Sequence, residues 1–421
     1  MKQTPSDILI VGGGFAGIRA AHRLSRRGRR LRLSITLIDR EATHVNVPVL
    51  YEVASAFVPW EREGVGNVLR EAAGVPFLNV LDGTGVHFIQ GSVDRIHPQT
   101  RTVTLEDHRE HTPDILLLTL GAQTHTFNIP GASLHAFCVK TFHEAAELRH
   151  HIVSTFLRHR SSARRVQERA LRIVVAGGGS AGVETAAELR LFQQKLAALH
   201  RVDPRIPRVC LYEASDTILR EYPPFLRRKG LGRLKALGVE VCTCRAISAV
   251  HPDRVEFVGG TAVPTDTVVW LCGIRAHDVF LRSGLPVHPR GGLIVNETLE
   301  VHGHQNIFAA GDCVYAADPA TGQTVPDVAW AALQQGNVAA DNILRRIQGI
   351  PLISYIPHPR PTLATVGGKY ALVHLPPFQY AGSLGWVVKQ LADLVYLIHI
   401  LPNTLAFRSW WKSMRVRVAN D

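Results

Sequence analysis

Ile8-Leu9-Ile10-Val11-Gly12-Gly13-Gly14-Phe15-Ala16-Gly17 is an apolar strand running into glycines and out into a helical stretch. The spacing returns far along the same chain, at Ile173-Val174-Val175-Ala176-Gly177-Gly178-Gly179-Ser180-Ala181-Gly182. One such turn says little, because glycine pairs at turns are common. Two of them, each between a strand and a helix, predict two bound dinucleotides. The first glycine makes the tight turn, the second lets the backbone approach a pyrophosphate, and the third lets helix and sheet pack closely. The pyrophosphate then rests on unpaired amides at the helix N-terminus.

An acid closing the next strand should accept hydrogen bonds from the adenosine ribose. Asp39, about twenty residues past the first turn, stands there. Glu213 closes Val209-Cys210-Leu211-Tyr212 after the second turn, delayed by a long helix and an insertion at 191–207. An acid at that place favours free ribose hydroxyls over a 2′-phosphate, and Ala214-Ser215-Asp216 offers no arginine. NADH is therefore expected over NADPH. A further strand, Ile307-Phe308-Ala309, leads through Ala310-Gly311 to Asp312, an acid suited to the ribityl hydroxyls of a flavin. Paired with the N-terminal fingerprint, it points to FAD at the first turn.

Outward from the turns, strands are expected at 8–11, 34–38, 101–105 and 115–120, with a helix over 16–25. The order repeats with strands at 173–176, 209–212 and 268–272 and a helix over 182–199. Residues 141–169 read as a charged helical linker, and 328–347 as a helix following the flavin acid. The expected fold is α/β, with two Rossmann-like dinucleotide-binding domains, one inserted in the other, and a C-terminal amphipathic helical membrane-binding region. The division expected is 1–140 with 284–366 for FAD, 141–283 for NADH, and 367–421 for the tail.

Composition agrees with a folded enzyme: 421 residues, 46% hydrophobic and 19% charged, exclude a disordered chain. The net charge of +12 suits anionic ligands or an anionic surface. The arginines are scattered without a nucleic-acid-binding signature, so no nucleic acid partner is expected. Six cysteines, Cys138, Cys210, Cys242, Cys244, Cys272 and Cys313, form neither a CxxC pair nor a zinc-ligand set. Cys242 and Cys244 are expected to share one face of a strand. No apolar signal-like run follows Met1, which makes a reducing, cytoplasmic setting the expectation.

Residues 12–17, Asp39, 118–122, 177–184, 270–275 and 307–312 together resemble the two-dinucleotide flavoprotein reductases. Leu37-Ile38-Asp39-Arg40, followed by Val47-Pro48-Val49-Leu50-Tyr51-Glu52-Val53-Ala54, looks more specifically like type II NADH dehydrogenase, and the likeness extends over essentially the whole chain. In that family FAD is bound noncovalently, NADH reduces it, and the electrons leave to a membrane quinone without proton pumping. The resemblance implies flavin contacts at Gly12, Gly14, Phe15, Ala16, Gly17, Asp39, Arg40, Leu50, Val93, Gly121, Gly311 and Asp312. It implies NADH contacts at Gly177, Gly179, Gly182, Glu213 and Gly273. It also gives Glu184 a catalytic place near nicotinamide and flavin, against the plainer reading of a charge at a helix N-terminus.

In Val328-Ala329-Trp330-Ala331-Ala332-Leu333-Gln334-Gln335-Gly336 the family often has Ala-Gln-x-Ala-x-Gln, lining the quinone pocket. Gln334 matches the second glutamine and is assigned a catalytic part. Trp330 replaces the first, and with Leu333 and Gln334 is expected to line the quinone site. The plainer reading is a well-packed helix start. His358-Pro359-Arg360-Pro361 stands where the family has a lysine–glycine pair, so that lysine's task falls to Arg360 or is absent.

The tail carries a broad apolar helical face over 386–400, a break at Pro402-Asn403, and then a stretch over 405–418. There Phe407, Trp410, Trp411, Met414 and Val418 lie among Arg408, Lys412, Arg415 and Arg417. A basic amphipathic helix with tryptophans suits the headgroup plane. Lys389, Asp393 and Pro402 deny the run of about twenty apolar residues that a span needs. The tail is expected to lie peripherally on anionic lipid at the cytoplasmic face of the inner or plasma membrane. A homodimer interface is its alternative use. Three other readings compete: a soluble ferredoxin-type reductase, which has no use for the tail; a sulfide:quinone oxidoreductase, for which Cys313 beside Asp312 lacks a partner; and a non-enzymatic redox sensor or scaffold.

Overall fold

Ser6–Val11 lies at the middle of a five-stranded sheet, paired in parallel with Leu33–Asp39 on one side and Ile115–Leu118 on the other. His87–Gln90 and Ile307–Ala309 complete the two edges, also in parallel. Ile8, Leu9, Ile10 and Val11 are all buried, as a parallel strand covered on both faces requires. The chain first builds away from Ser6–Val11 in one direction and later returns on its other side. Strand order therefore reverses at the glycine turn, the place where open α/β sheets take ligands. The Phe15–Arg27 helix packs against Ala329–Gln348 so closely that a Cβ on Gly336 would sit 2.5 Å from the Ala16 carbonyl oxygen. Arg19 Nε to Asn337 (2.9 Å) and Arg23 Nε to Asp341 (2.6 Å) stitch the same seam.

The computed structural model describes residues 6–57, 65–289, 291–318, 322–358 and 361–420. They fall into two compact units: Met1–His44, Val75–Gln123 and Ile274–Arg360 in the first, Val45–Gly74, Thr124–Gly273 and Pro361–Asp421 in the second. The second unit repeats the first unit's plan. Arg172–Ala176 is central, with Arg208–Tyr212 and then Val239–Cys242 on one side and Thr267–Trp270 on the other. Each unit also carries a three-stranded antiparallel ribbon, starting at Val93–His97 and at Ile247–Val250.

The helix after the second turn runs over Ser180–His200, matching the helix expected over 182–199, and its length explains the late arrival of Glu213. Several other local expectations change. The supposed linker is part of the second unit's core: Phe142–His159, closed by a Thr141/Glu144 capping box, buries Leu148, Ile152 and Phe156. Val45–Gly74, expected with the FAD-binding domain, packs in the second unit. Cys242 ends its strand, while Cys244 lies beyond it in a left-handed conformation (φ 55°), so the two do not share a strand face.

The tail forms two helices, Ser383–Ile400 and Asn403–Asn420. The first wears its apolar residues outward: Leu384, Val387, Leu391, Val395 and Ile398 are exposed, while Lys389 and Gln390 are buried. Lys389 and Asp393, expected to interrupt the apolar face, form an inward ion pair at 3.2 Å. Arg417, expected among the lipid-facing cations, is only 6% exposed and faces the protein. Phe407 and Trp411 remain exposed, whereas Trp410 Nε1 donates to the Gln390 carbonyl at 2.9 Å. Among the described residues no helix is long and apolar enough to cross a membrane.

Candidate functional site

The two glycine turns have the same construction. Gly12 (φ 106°) and Gly177 (φ 108°) each lie against the end of the strand across the switch point. A Cβ on Gly12 would meet the Thr119 carbonyl oxygen at 2.3 Å, and one on Gly177 the Leu271 carbonyl oxygen at 2.6 Å. The third glycines are barred by their own turns: a Cβ on Gly17 would sit 1.9 Å from the Gly12 oxygen, and one on Gly182 1.8 Å from the Gly177 oxygen. The glycines between them differ. A Cβ on Gly14 would have its nearest protein neighbour at 4.0 Å, and one on Gly179 would have none within that distance. Both residues start helices with ordinary φ values of −73° and −72°. No protein contact requires glycine at these two places, and its absence of a side chain leaves the backbone open to close approach.

The acids repeat as well. Asp39 Oδ2 accepts from the Gly13 amide at 2.6 Å, and Glu213 Oε2 accepts from the Gly178 amide at 2.6 Å. Each carboxylate keeps a second oxygen on its own loop, Asp39 taking the Glu41 amide and Glu213 the Ser215 amide and hydroxyl. Burial raises the Asp39 pKa above the usual range despite these bonds. At Glu213 burial acts upward too, but hydrogen bonds from Ser215 and Gly178 and the Arg220 charge outweigh it, and the group stays below the usual range.

Several supporting residues were not legible beforehand. His44, buried beside Phe15, places Nδ1 2.9 Å from the Gly13 carbonyl, and desolvation lowers its pKa to about 4. Gln335 is buried and accepts from the Gly311 amide at 2.7 Å, fixing the approach to Asp312. Its place on the buried stripe with Ala331, Ala332 and Gly336 was the available signal. Trp330, Leu333 and Gln334 lie on the less buried face of the same helix. Gln334 bonds the His358 backbone in both directions, Nε2 to O at 2.7 Å and Oε1 from N at 3.0 Å. Pro359 and Arg360 lie outside the described residues. At the second turn, Glu221 accepts from the Ser180 amide at 3.0 Å and its hydroxyl at 2.6 Å.

The remaining expected contacts distribute between the units. Arg40 is exposed, and Val93 and Gly121 are partly buried, in the first. Leu50 is fully buried in the second. Gly273 faces Phe127, whose ring would lie 2.9 Å from a Cβ there.

Glu184 is no simple surface charge. Its Oε1 accepts from the Thr365 amide at 3.0 Å and the Thr365 hydroxyl at 3.2 Å. Burial pushes its pKa up to about 7, against the opposing pull of Lys389 and the Thr365 bonds and with help from Glu52. One turn on, Glu188 accepts from the Gly368 amide at 3.1 Å. Among the cysteines, Cys313 is fully buried, with Sγ 3.2 Å from the Ala310 carbonyl, and desolvation pushes its thiol up to about 12. A thiol so held is a poor nucleophile.

Comparison with known proteins matches residues 6–336 to the family described as pyridine nucleotide-disulphide oxidoreductase. The type II NADH:quinone oxidoreductase of Haemophilus influenzae is 28% identical over 87% of this chain and 86% of its own. The demethylphylloquinone reductase NdbB of Synechocystis is 29% identical over 94% and 93%. Among solved structures, NDH2 of Plasmodium falciparum in complex with NADH shares the fold at a TM-score of 0.85, covering 98% of each chain at 16% identity. The sulfide:quinone oxidoreductase of Aquifex aeolicus matches at 0.73 and 19% identity, covering 98% and 92%.

Proposed function

The chain belongs to the pyridine nucleotide-disulphide oxidoreductase family, and from that premise we propose that it is a FAD-dependent NADH:quinone oxidoreductase. It takes a hydride from NADH and delivers two electrons to a membrane quinone without pumping protons. The names of its relatives support this reading. The observation that carries it is the pair of matched turns in which a Cβ on Gly14 or Gly179 would meet no protein atom closer than 4.0 Å.

The residues fit a flavin at the first turn. Gly12, Gly14 and Gly17 shape a helix start open to a pyrophosphate, with Phe15 and Ala16 in its first turn. Asp39 is anchored for the adenosine ribose, and Asp312 follows a glycine that Gln335 fixes. Bound there, FAD supplies the two-electron redox step between nicotinamide and quinone. NADH goes to the second turn, where Gly177, Gly179 and Gly182 repeat the cradle. The Glu213 carboxylate, held ionised, accepts ribose hydroxyls and repels a 2′-phosphate. Trp330, Leu333 and Gln334, on the open side of their helix, are assigned to the quinone. Quinone reduction to quinol consumes two protons as well as two electrons, and Glu184 can carry one at neutral pH. The inert setting of Cys313 weighs against sulfide as donor.

The outward apolar stripe of Ser383–Ile400, continued by exposed Phe378, Phe407 and Trp411, suits a bilayer surface. Exposed Arg408, Lys412 and Arg415 and the net charge of +12 favour anionic headgroups on the cytoplasmic side. The test is steady-state oxidation of NADH and NADPH by the full chain, with a soluble quinone and, separately, a ferredoxin. Rapid NADH-driven quinone reduction with poor use of NADPH is expected. Brisk ferredoxin reduction without quinone reduction overturns the reading.

A further inference from the structure

The donors around Glu184 continue as a row. The Thr365 hydroxyl that reaches Glu184 also lies 2.7 Å from Tyr51 Oη. Tyr51 Oη lies 3.2 Å from Glu52 Oε1, and Glu52 Oε2 accepts from Arg417 Nε at 2.6 Å. Arg417 also pairs with Asp393 at 2.8 Å and donates to Gln390. Tyr51, Glu52 and Arg417 are all buried.

Each hydroxyl in the row has one proton to give, so the row can be ordered in two ways. With Glu184 ionised, Tyr51 donates to Thr365 and Thr365 to Glu184, and Glu52 receives nothing from Tyr51. With Glu184 protonated, every donor turns: Glu184 donates to Thr365, Thr365 to Tyr51, and Tyr51 to Glu52. The second order gains from a carboxylate at its far end, because a hydrogen bond to a charged acceptor is the stronger kind. Arg417, 2.6 Å from Glu52 Oε2, supplies the cation at that end, and a charge in the interior is held by such pairing.

We propose that Tyr51, Glu52 and Arg417 are positioning residues that hold the proton on Glu184, by anchoring a carboxylate at the far end of a two-hydroxyl row. The proposal rests on the catalytic reading of Glu184 given above. It makes the last helix of the chain part of the apparatus that sets an acid it never touches. The other groups facing Glu184 do not supply this role. Lys389, on the preceding tail helix, favours the ionised form and is itself paired with Asp393. Tyr222 and Glu188 are a weak acid and a like charge.

The test is the pH profile of kcat for quinone reduction by the holoenzyme, read together with the infrared carboxyl band that Glu184→Gln removes. In Tyr51→Phe and Glu52→Gln, loss of the Glu184 proton is expected at a pH lower by about one unit, with KM for NADH and FAD content unchanged. Arg417→Gln takes the cation from the Glu52 carboxylate and should move the profile in the same direction as Glu52→Gln, while Arg417→Lys should restore the wild-type profile. If loss of Arg417 prevents folding, Tyr51→Phe, which removes one buried oxygen, still decides. A Tyr51→Phe profile and carboxyl band superimposable on wild type overturn the proposal. Wild-type quinone turnover by Glu184→Gln instead overturns the catalytic reading beneath it.

Discussion

At the scale of single residues, the glycines of each turn separate into those the protein's own packing needs and those it does not. Gly17→Ala drives a methyl to 1.9 Å from a backbone oxygen, whereas Gly14→Ala meets nothing of the protein closer than 4.0 Å. Gly14→Ala is therefore expected to fold with the flavin-free stability of wild type to within about 0.5 kcal/mol. It should nonetheless retain much less flavin, measured as flavin absorbance per chain after purification. Gly17→Ala should lose several degrees in Tm even without flavin. A second consequence concerns pH. A carboxyl raised to about 7 when folded is bound as the neutral acid, so its contribution is fully present below the unfolded value near 4.5 and is lost as pH rises through about 7. In urea titrations wild type should lose up to about 3 kcal/mol between pH 5 and pH 8 from this group, and Glu184→Gln should lack that component. Equal slopes in the two proteins would show that Glu184 ionises as freely folded as unfolded.

At the scale of elements, the tail helix Ser383–Ile400 has its polarity reversed from that of a soluble helix: Lys389 and Asp393 pair inward, Asp393 also meeting Arg417 of the next helix, and oil faces out. Substituting Leu391 and Val395 by glutamate touches only the outward stripe. The double variant should float poorly with anionic vesicles while reducing a soluble quinone at the wild-type rate. Flotation equal to wild type would return the stripe to a dimer interface. The sequence disclosed the strands that flank the two turns, the turn glycines and the placing of Asp39 and Glu213, because their spacing is local and their chemistry specific. It hid the tail's orientation, because a pattern of apolar and basic residues does not say which face has a partner. Arg417 read as a headgroup cation only because Glu52, hundreds of residues earlier, is invisible to a helical pattern. Gln335 and His44 were hidden for the same reason, each supporting a backbone group distant in sequence.

At the scale of the whole molecule, one chain carries the same strand–glycine–helix–acid device twice, down to the acid's bond with the Gly13 or Gly178 amide. The two copies differ where their acids differ: an aspartate raised by burial and a glutamate kept charged by its loop. The likeness was readable from spacing alone, whereas the contrast in charge needed the surrounding atoms. A third property belongs to the chain's end. Its final helix inserts Arg417 onto the Glu52 carboxylate, and the strand bearing Thr365 pairs directly with Ala371–Leu375 just before the tail. Shortening the protein to obtain an easily handled soluble enzyme is thus not a neutral act of trimming. Cutting ahead of Arg417 strands a carboxylate in the interior, and cutting ahead of Ala371 also removes a sheet neighbour from beside Glu184. A protein engineer wanting solubility should leave the length alone and repaint the outer stripe.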